Sequence, residues 1–292
     1  MTIGQDIKPI DAYPRVRRMR FRFGQPEPMT HHFVQDDIPL THLISVLSGA
    51  FPPGEESFIR SVRKFSGEIT DPVLKKRVAG FIGQEAVHGQ QHRALNDQLI
   101  EMGFPIVRAF TFEPGARRER ALITVENLVP RQVHLAVTAL AEHYTSTLAA
   151  RVLGSEAIQD IPGDPEVWNL LNWHAFEELE HKSVAFDVYR ATGGSETVRI
   201  VLMAGTYALT IPVVSLGVAA SILSDPRSWR PIKVMRQSIR LYRGPIVKGL
   251  MKEIRPYMRP GFHPDDVDTA ALLEHWRQEL FGARGELNDR IG

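Results

Sequence analysis

Two segments, FIGQEAVHGQQH (residues 81–92) and NWHAFEELEHKS (residues 172–183), each set a Glu-x-x-His into apolar, helix-forming surroundings. No other feature narrows the possible folds as much. Each residue of an α-helix advances about 100°, so Glu85, His88 and His92 fall within roughly a 60° arc. His174, Glu178 and His181, spaced i, i+4 and i+7, share a similarly narrow arc. Phe81, Ile82 and Leu95 put the first arc on a largely buried helix. A buried carboxylate with nothing to pair against is expensive. A divalent metal ion offsets that cost, because carboxylate and neutral imidazole are its natural ligands.

The surrounding chain reads as helix, with Ala, Leu, Glu, Gln and Arg recurring at three- and four-residue intervals and no sustained alternation of β-branched residues. A first helix is expected from Thr41 into SFIRSVRKF, kinked or broken at Pro52-Pro53-Gly54. Thr70-Asp71-Pro72 opens a second, which stops near Gly103. A third runs from Pro130 to Gly154, and a fourth from Asp164-Pro165 to Gly193-Gly194. The predicted fold is all-α: a ferritin-like four-helix bundle over residues 36–194 with a dinuclear metal site, preceded by a basic segment (1–35) and followed by C-terminal helices (195–292). Two Glu-x-x-His helices, each preceded by a helix supplying one glutamate, are the ligand pattern of such sites. Glu55 or Glu56 offers the first single glutamate, and Glu142, inside ALAEHYT, the second. His92 is either a further ligand or a hydrogen-bonding support.

Composition removes several alternatives. The chain has no cysteine, which excludes disulfides, thiolate zinc sites and cysteine nucleophiles. A net charge of +1 gives no reason to expect nucleic acid. HGQQH lacks the glutamate of the HExxH zinc proteases, and neither a phosphate-binding glycine loop nor G-x-S-x-G is present. The opening MTIGQDIKPIDAYPRVRRMRF lacks the apolar run of a secretory signal, so the expected address is cytoplasmic. Within it, PRVRRMRFRF alternates arginine with apolar residues, predicting a short extended segment with one basic face.

FPPGEESFIRSVR, DPVLKKRVAGFIGQEAVHGQQH, TALAEHYT, WHAFEELEHKSVAFDVY and RPYMRPGFHPDD together resemble the bacterial family of predicted metal-dependent hydrolases. The ligand layout is also similar to ferritin-like di-iron proteins, more narrowly to the p-aminobenzoate N-oxygenase type, whose fourth helix contributes histidine, glutamate and histidine. That resemblance implies Glu55, Glu85, His88, Glu142, His174, Glu178 and His181 as metal ligands. His92 departs from its pattern.

The chemistry expected first is oxygen-dependent oxidation, hydroxylation or N-oxygenation, of an organic substrate at two iron ions, with manganese or zinc as alternatives. The second is hydrolysis by a metal-activated hydroxide, and the third metal binding or storage without turnover. The expected partners are a small-molecule or lipid-like substrate, an electron donor where the chemistry is oxidative, and a second copy in a homodimer. Residues Ile200 to Leu223 form an apolar run long enough to cross a bilayer, at about 1.5 Å per residue over ~30 Å. It is either membrane-associated or a buried central helix. The basic RSWRPIKVMRQSIRLYRGPIVKGLMK after it suits anionic lipid on the cytoplasmic face of the inner membrane.

Overall fold

A computed structural model of the protein describes residues 13–111 and 115–292. Residues 14–23 run extended: Met19, Phe21 and Phe23 turn inward while Arg18, Arg20 and Arg22 stay exposed, as the alternation predicts. The part of the basic segment before Tyr13 lies outside the described residues. An antiparallel bridge between Met19 and Ile291 pins this segment, with Arg20 N–H donating to Arg290 O at 2.8 Å.

Helix α1 (Ile38–Arg63) starts where the Asp37 carboxylate accepts from the Leu40 amide at 3.1 Å. It continues through Pro52 and Pro53, so of the expected kink or break the break does not occur. Proline at 52 removes the amide that would bond the Ser48 carbonyl four residues earlier. Asn96 Nδ2 donates to that carbonyl instead, at 2.9 Å, so a neighbouring helix supplies what the turn lacks. Helix α2 (Pro72–Met102) follows the sequence at both ends. Asp71 accepts from Val73 and Leu74 amides at 2.9 and 3.3 Å. Gly103, at φ 94°, closes it while Phe104 N–H reaches Leu99 O at 3.0 Å.

Two short helices, α3 (Pro105–Phe110) and α4 (Arg117–Leu128), lead to α5 (Arg131–Leu153), and α6 (Glu156–Gln159) precedes α7 (Pro165–His181). The predicted fourth helix is divided: Lys182 and Ser183 separate α7 from α8 (Val184–Ala191). The Ser183 hydroxyl is held from outside the helix, accepting from Arg77 Nη2 at 2.7 Å and donating to Asp265 Oδ2 at 3.3 Å. Those partners are remote in sequence, so the interruption has no local signal.

Helices α1, α2, α7 and α5 touch one another in a closed ring. One apolar cluster, including Leu43, Leu95, Leu153, Leu170 and Phe176, packs one half of the ring. Another, including Val62, Phe81, Leu140 and Val188, packs the other half. Along α1, α2 and α5 the metal-ligand candidates fall between these two clusters; on α7, His174 and Glu178 are interleaved with the first cluster and His181 follows it.

The remaining chain forms α9 (Glu196–Ser224), α10 (Pro231–Arg243), α11 (Leu250–Ile254) and α12 (Ala270–Phe281), and no strand occurs among the described residues. Helix α9 lies along α1 and α5. Only 6% of its most apolar window is buried, so it is not a buried central helix. Both of its ends are locked to the body. Arg199, fully buried, donates to the Tyr257 carbonyl and, at 3.0 Å, to Arg259 O. Asp225, at the other end, accepts from Ser228 Oγ at 2.6 Å and contacts His31 Nε2 at 2.7 Å.

Candidate metal centre

Glu55 from α1, Glu85 and His88 from α2, Glu142 from α5, and His174, Glu178 and His181 from α7 converge between the two apolar clusters, each at most 5% exposed. They form two groups. In one, donor atoms of Glu55, His88 and His174 lie within 4.8 Å of one another; in the other, those of Glu85, Glu178 and His181 do. Glu142 joins the second, its Oε2 3.4 Å from His181 Nε2. Glu178 Oε1 stands between the groups, 3.0 Å from His174 Nε2 and 3.5 Å from His181 Nε2. The Thr145 hydroxyl donates to its other oxygen.

Gly89 makes room for this arrangement, since a Cβ there would sit 3.0 Å from Glu55 Oε2. Glu56, the alternative to Glu55, faces away and pairs with Arg93 and Arg60. His143, next to Glu142, turns away from the centre: its Nε2–H donates to Ile254 O at 3.1 Å.

Each of the three inward histidines has its outer nitrogen tied, which orients the ring and fixes where its proton sits. The His174 chain can be followed atom by atom. A carbonyl only accepts, so Asn96 must turn its amide nitrogen to Ser48 O and its oxygen to Ser48 Oγ. The Ser48 hydroxyl therefore donates to Asn96 Oδ1, at 2.8 Å, and accepts from His92 Nδ1–H, at 2.9 Å. His92 Nε2 is left as an acceptor for His174 Nδ1–H at 2.7 Å. His174 Nε2 then carries a bare lone pair 3.0 Å from a carboxylate oxygen of Glu178. A proton or a metal cation between these two atoms satisfies both.

The other two histidines repeat the device. Gln84 Nε2 donates to Arg15 O at 3.1 Å, which turns its oxygen toward His181 Nδ1 at 2.9 Å. His88 Nε2 donates to Glu177 Oε2 at 3.1 Å, and Arg17 holds Glu177 Oε1 at 2.8 Å. Burial pushes the Glu177 carboxyl up to about 7, with the Arg17 guanidinium acting against it.

His92 is thus placed differently from the other candidates. Both its nitrogens are engaged, and it stands behind His174 as a support. Replacing His92 with phenylalanine is expected to lower affinity for the ion nearest His174 by about 10–100-fold, the usual cost of losing such an outer partner. Metal titration of the chelator-treated variant, with the second site as internal control, measures this.

The donor set fits divalent metal. Both oxygens of Glu55, Glu85 and Glu142, Nδ1 of His88 and Nε2 of His181 are buried without a hydrogen-bond partner among the described residues. His181 Nε2 approaches Glu85 Oε1 to 3.0 Å without hydrogen-bond geometry. Burial, then the charges of Glu85 and Glu178, hold the Glu55 and Glu142 carboxyls well above the usual range. Burial pushes His88 well below its usual range, and the imidazole of His174 adds to that. At His181 burial is outweighed by the surrounding carboxylates, Glu178 foremost, which raise it. Four inward carboxylates carry the charge that two divalent cations neutralise, and the bare imidazole nitrogens complete the set.

The sequence alone did not reveal Ser48, Gln84, Asn96 or the Arg17–Glu177 pair. Pro52 was the one available signal, because a proline inside a helix frees a carbonyl that something must satisfy.

No curated protein and no solved structure matches the chain. The family model described as predicted metal-dependent hydrolase matches residues 15–268, which include every donor named above. The chain belongs to that family of predicted metal-dependent hydrolases.

Proposed function

We propose that this protein is a metal-dependent hydrolase whose ferritin-like ring of helices holds two divalent ions. Glu55, His88 and His174 would hold one ion and Glu85, Glu142 and His181 the other, with Glu178 within reach of both groups. The carrying observation is the set of buried, partnerless carboxylate and imidazole atoms aimed at one place. Bound divalent ions supply Lewis acidity and lower the pKa of water. Thr145 keeps Glu178 oriented, and Arg17 through Glu177, Gln84 directly and Ser48 through His92 engage the outer nitrogen of each histidine, so that its inner nitrogen faces the centre. Family membership favours hydrolysis. Oxidation at iron is the second reading, favoured by the paired Glu-x-x-His layout.

Metal analysis of protein purified without chelators is expected to give two ions per chain. Zinc- or manganese-loaded protein is expected to cleave ester or amide substrates in an anaerobic chamber. Turnover that requires iron and dioxygen would select the oxidative reading instead.

We also infer that the α9–α10 face rests on an anionic membrane surface. Val201, Leu209, Val213, Leu216 and Leu223 on α9 are exposed, as are Ile232, Met235, Ile239 and Tyr242 along one stripe of α10. Tyr242 hydrogen-bonds Ser215, setting the two faces side by side. Arg230, Arg236 and Arg243, exposed beside the stripe, make no ion pair among the described residues. Apolar and basic stripes side by side are the pattern of a helix lying in a bilayer interface. Because both ends of α9 are locked to the body, lying flat suits it better than spanning. The protein is expected to float with phosphatidylglycerol vesicles at low salt, and the charge-reversed R230E/R236E/R243E variant to lose roughly 1 kcal/mol of binding per residue. Wild-type protein left behind in the aqueous fraction at low salt would refute this placement.

A further inference from the structure

Beneath that face lies a cavity of about 530 Å³, enclosed by α1, α5, α9 and α10. Its volume falls in the range of ligand sites. Its wall is chiefly Leu, Ile and Val, with a few hydroxyls such as Thr210 and Ser238, and no charged side chain lines it. A smaller cavity of about 110 Å³ adjoins it, and this one is lined by His174 and Glu178. The two share Leu43, Leu47, Phe51, Thr145, Leu148 and Ile246 as wall. Phe51 stands at the junction, its ring 4.8 Å from that of His174. The two cavities therefore adjoin across a shared apolar wall, one beneath the exposed α9–α10 face and the other beside the metal centre. Left empty, such a space forfeits dispersion contacts along its whole wall.

We propose that the cavity binds the hydrocarbon chain of a neutral long-chain ester or amide taken from the bilayer, and presents its carbonyl to the metal centre. This rests on the hydrolytic reading above. The chain is long because the cavity is several times larger than the space beside His174. The reacting end is neutral because nothing along the wall of the larger cavity compensates a charge, and a desolvated phosphate or carboxylate there is costly. Source and destination agree: apolar and basic groups surround the outer end, and Lewis-acid ligands the inner. In the reaction, a water oxygen bonds to the acyl carbon and the carbon–oxygen or carbon–nitrogen bond to the leaving group breaks. One water proton departs with the alcohol or amine, and the other is released from the acid.

The test uses the full chain, metal-loaded and chelator-treated, with a pyrene-labelled long-chain ester as fluorescent probe. Both forms are expected to bind it, since the chain site contains no metal ligand of its own. Val218→Trp and, independently, Val214→Trp are expected to weaken binding at least tenfold while metal content and far-ultraviolet circular dichroism stay as in the wild type. To the chelator-treated form, the corresponding long-chain phosphate monoester is expected to bind at least tenfold more weakly than the ester. Equal binding by wild type and both filled variants, or equal binding of ester and phosphate to the chelator-treated form, would overturn the proposal. Probe transfer from phosphatidylglycerol vesicles supports the bilayer as source; binding only of probe offered free in solution overturns that source. A protein that binds the ester but holds no metal would sink the hydrolytic reading and leave the chain site standing. One that holds two ions and cleaves short esters without binding the long one would do the reverse.

Discussion

Replacing Glu178 with alanine is expected to empty the centre of both ions and to lower hydrolysis by about 10²–10³-fold, the effect of losing several kcal/mol of metal-derived barrier reduction. Glu178 is singled out because one of its oxygens lies within 3.5 Å of both His174 and His181. Loss of Glu55, Glu85 or Glu142 removes a donor from one group, whereas Glu178 approaches donors of both. Glu56→Ala is the control: it removes the carboxylate next to Glu55 on α1, whose partners are Arg93 and Arg60, and is expected to retain both ions. Metal content per chain, measured on variants with unchanged circular dichroism, decides it. A two-ion Glu178→Ala protein, or a Glu56→Ala protein as empty as it, would refute the assignment of the bridging position.

Stripping the metal is expected to cost the fold heavily. An ion present at about 1,000 times its Kd stabilises the native state by about 4.1 kcal/mol. For a chain of this general size each kcal/mol moves the melting midpoint by about 2–4 °C, so one ion accounts for about 8–16 °C. The physical source is the central layer, where Glu55, Glu85 and Glu142 have no hydrogen-bond partner among the described residues to offset their burial. Thermal melts of chelator-treated and metal-replete protein at equal concentration measure the shift. Coincident melts, with two ions confirmed in the replete sample, would mean that the carboxylates are compensated by something other than metal.

Much of the ring was legible because its signals are local. Asp71-Pro72 and Gly103 bound α2 as a capping side chain, a first-turn proline and a left-handed glycine dictate. Glu85 with His88, and Glu178 with His181, share faces because three residues make nearly a turn. The choice between Glu55 and Glu56 was not legible, since adjacent residues differ by a third of a turn and only the position of Arg93 separates them. Nor was the role of Arg17, whose partner Glu177 lies 160 residues away. The interruption after His181 depends on Arg77 and Asp265, and the exposure of α9 on how few neighbours cover an apolar helix. Both are properties of assembly, invisible to periodicity.

The proline at position 52 has a reach that its chemistry does not suggest. Lacking an amide hydrogen, it leaves an acceptor that turns Asn96 one way round, and each group along the relay then has a single orientation open to it. The last imidazole in that relay is delivered in its coordinating tautomer before any cation arrives. An imino acid with nothing to titrate thus decides which nitrogen of a distant ring stays basic, so the centre is prepared for capture by the backbone's own accounting of donors and acceptors.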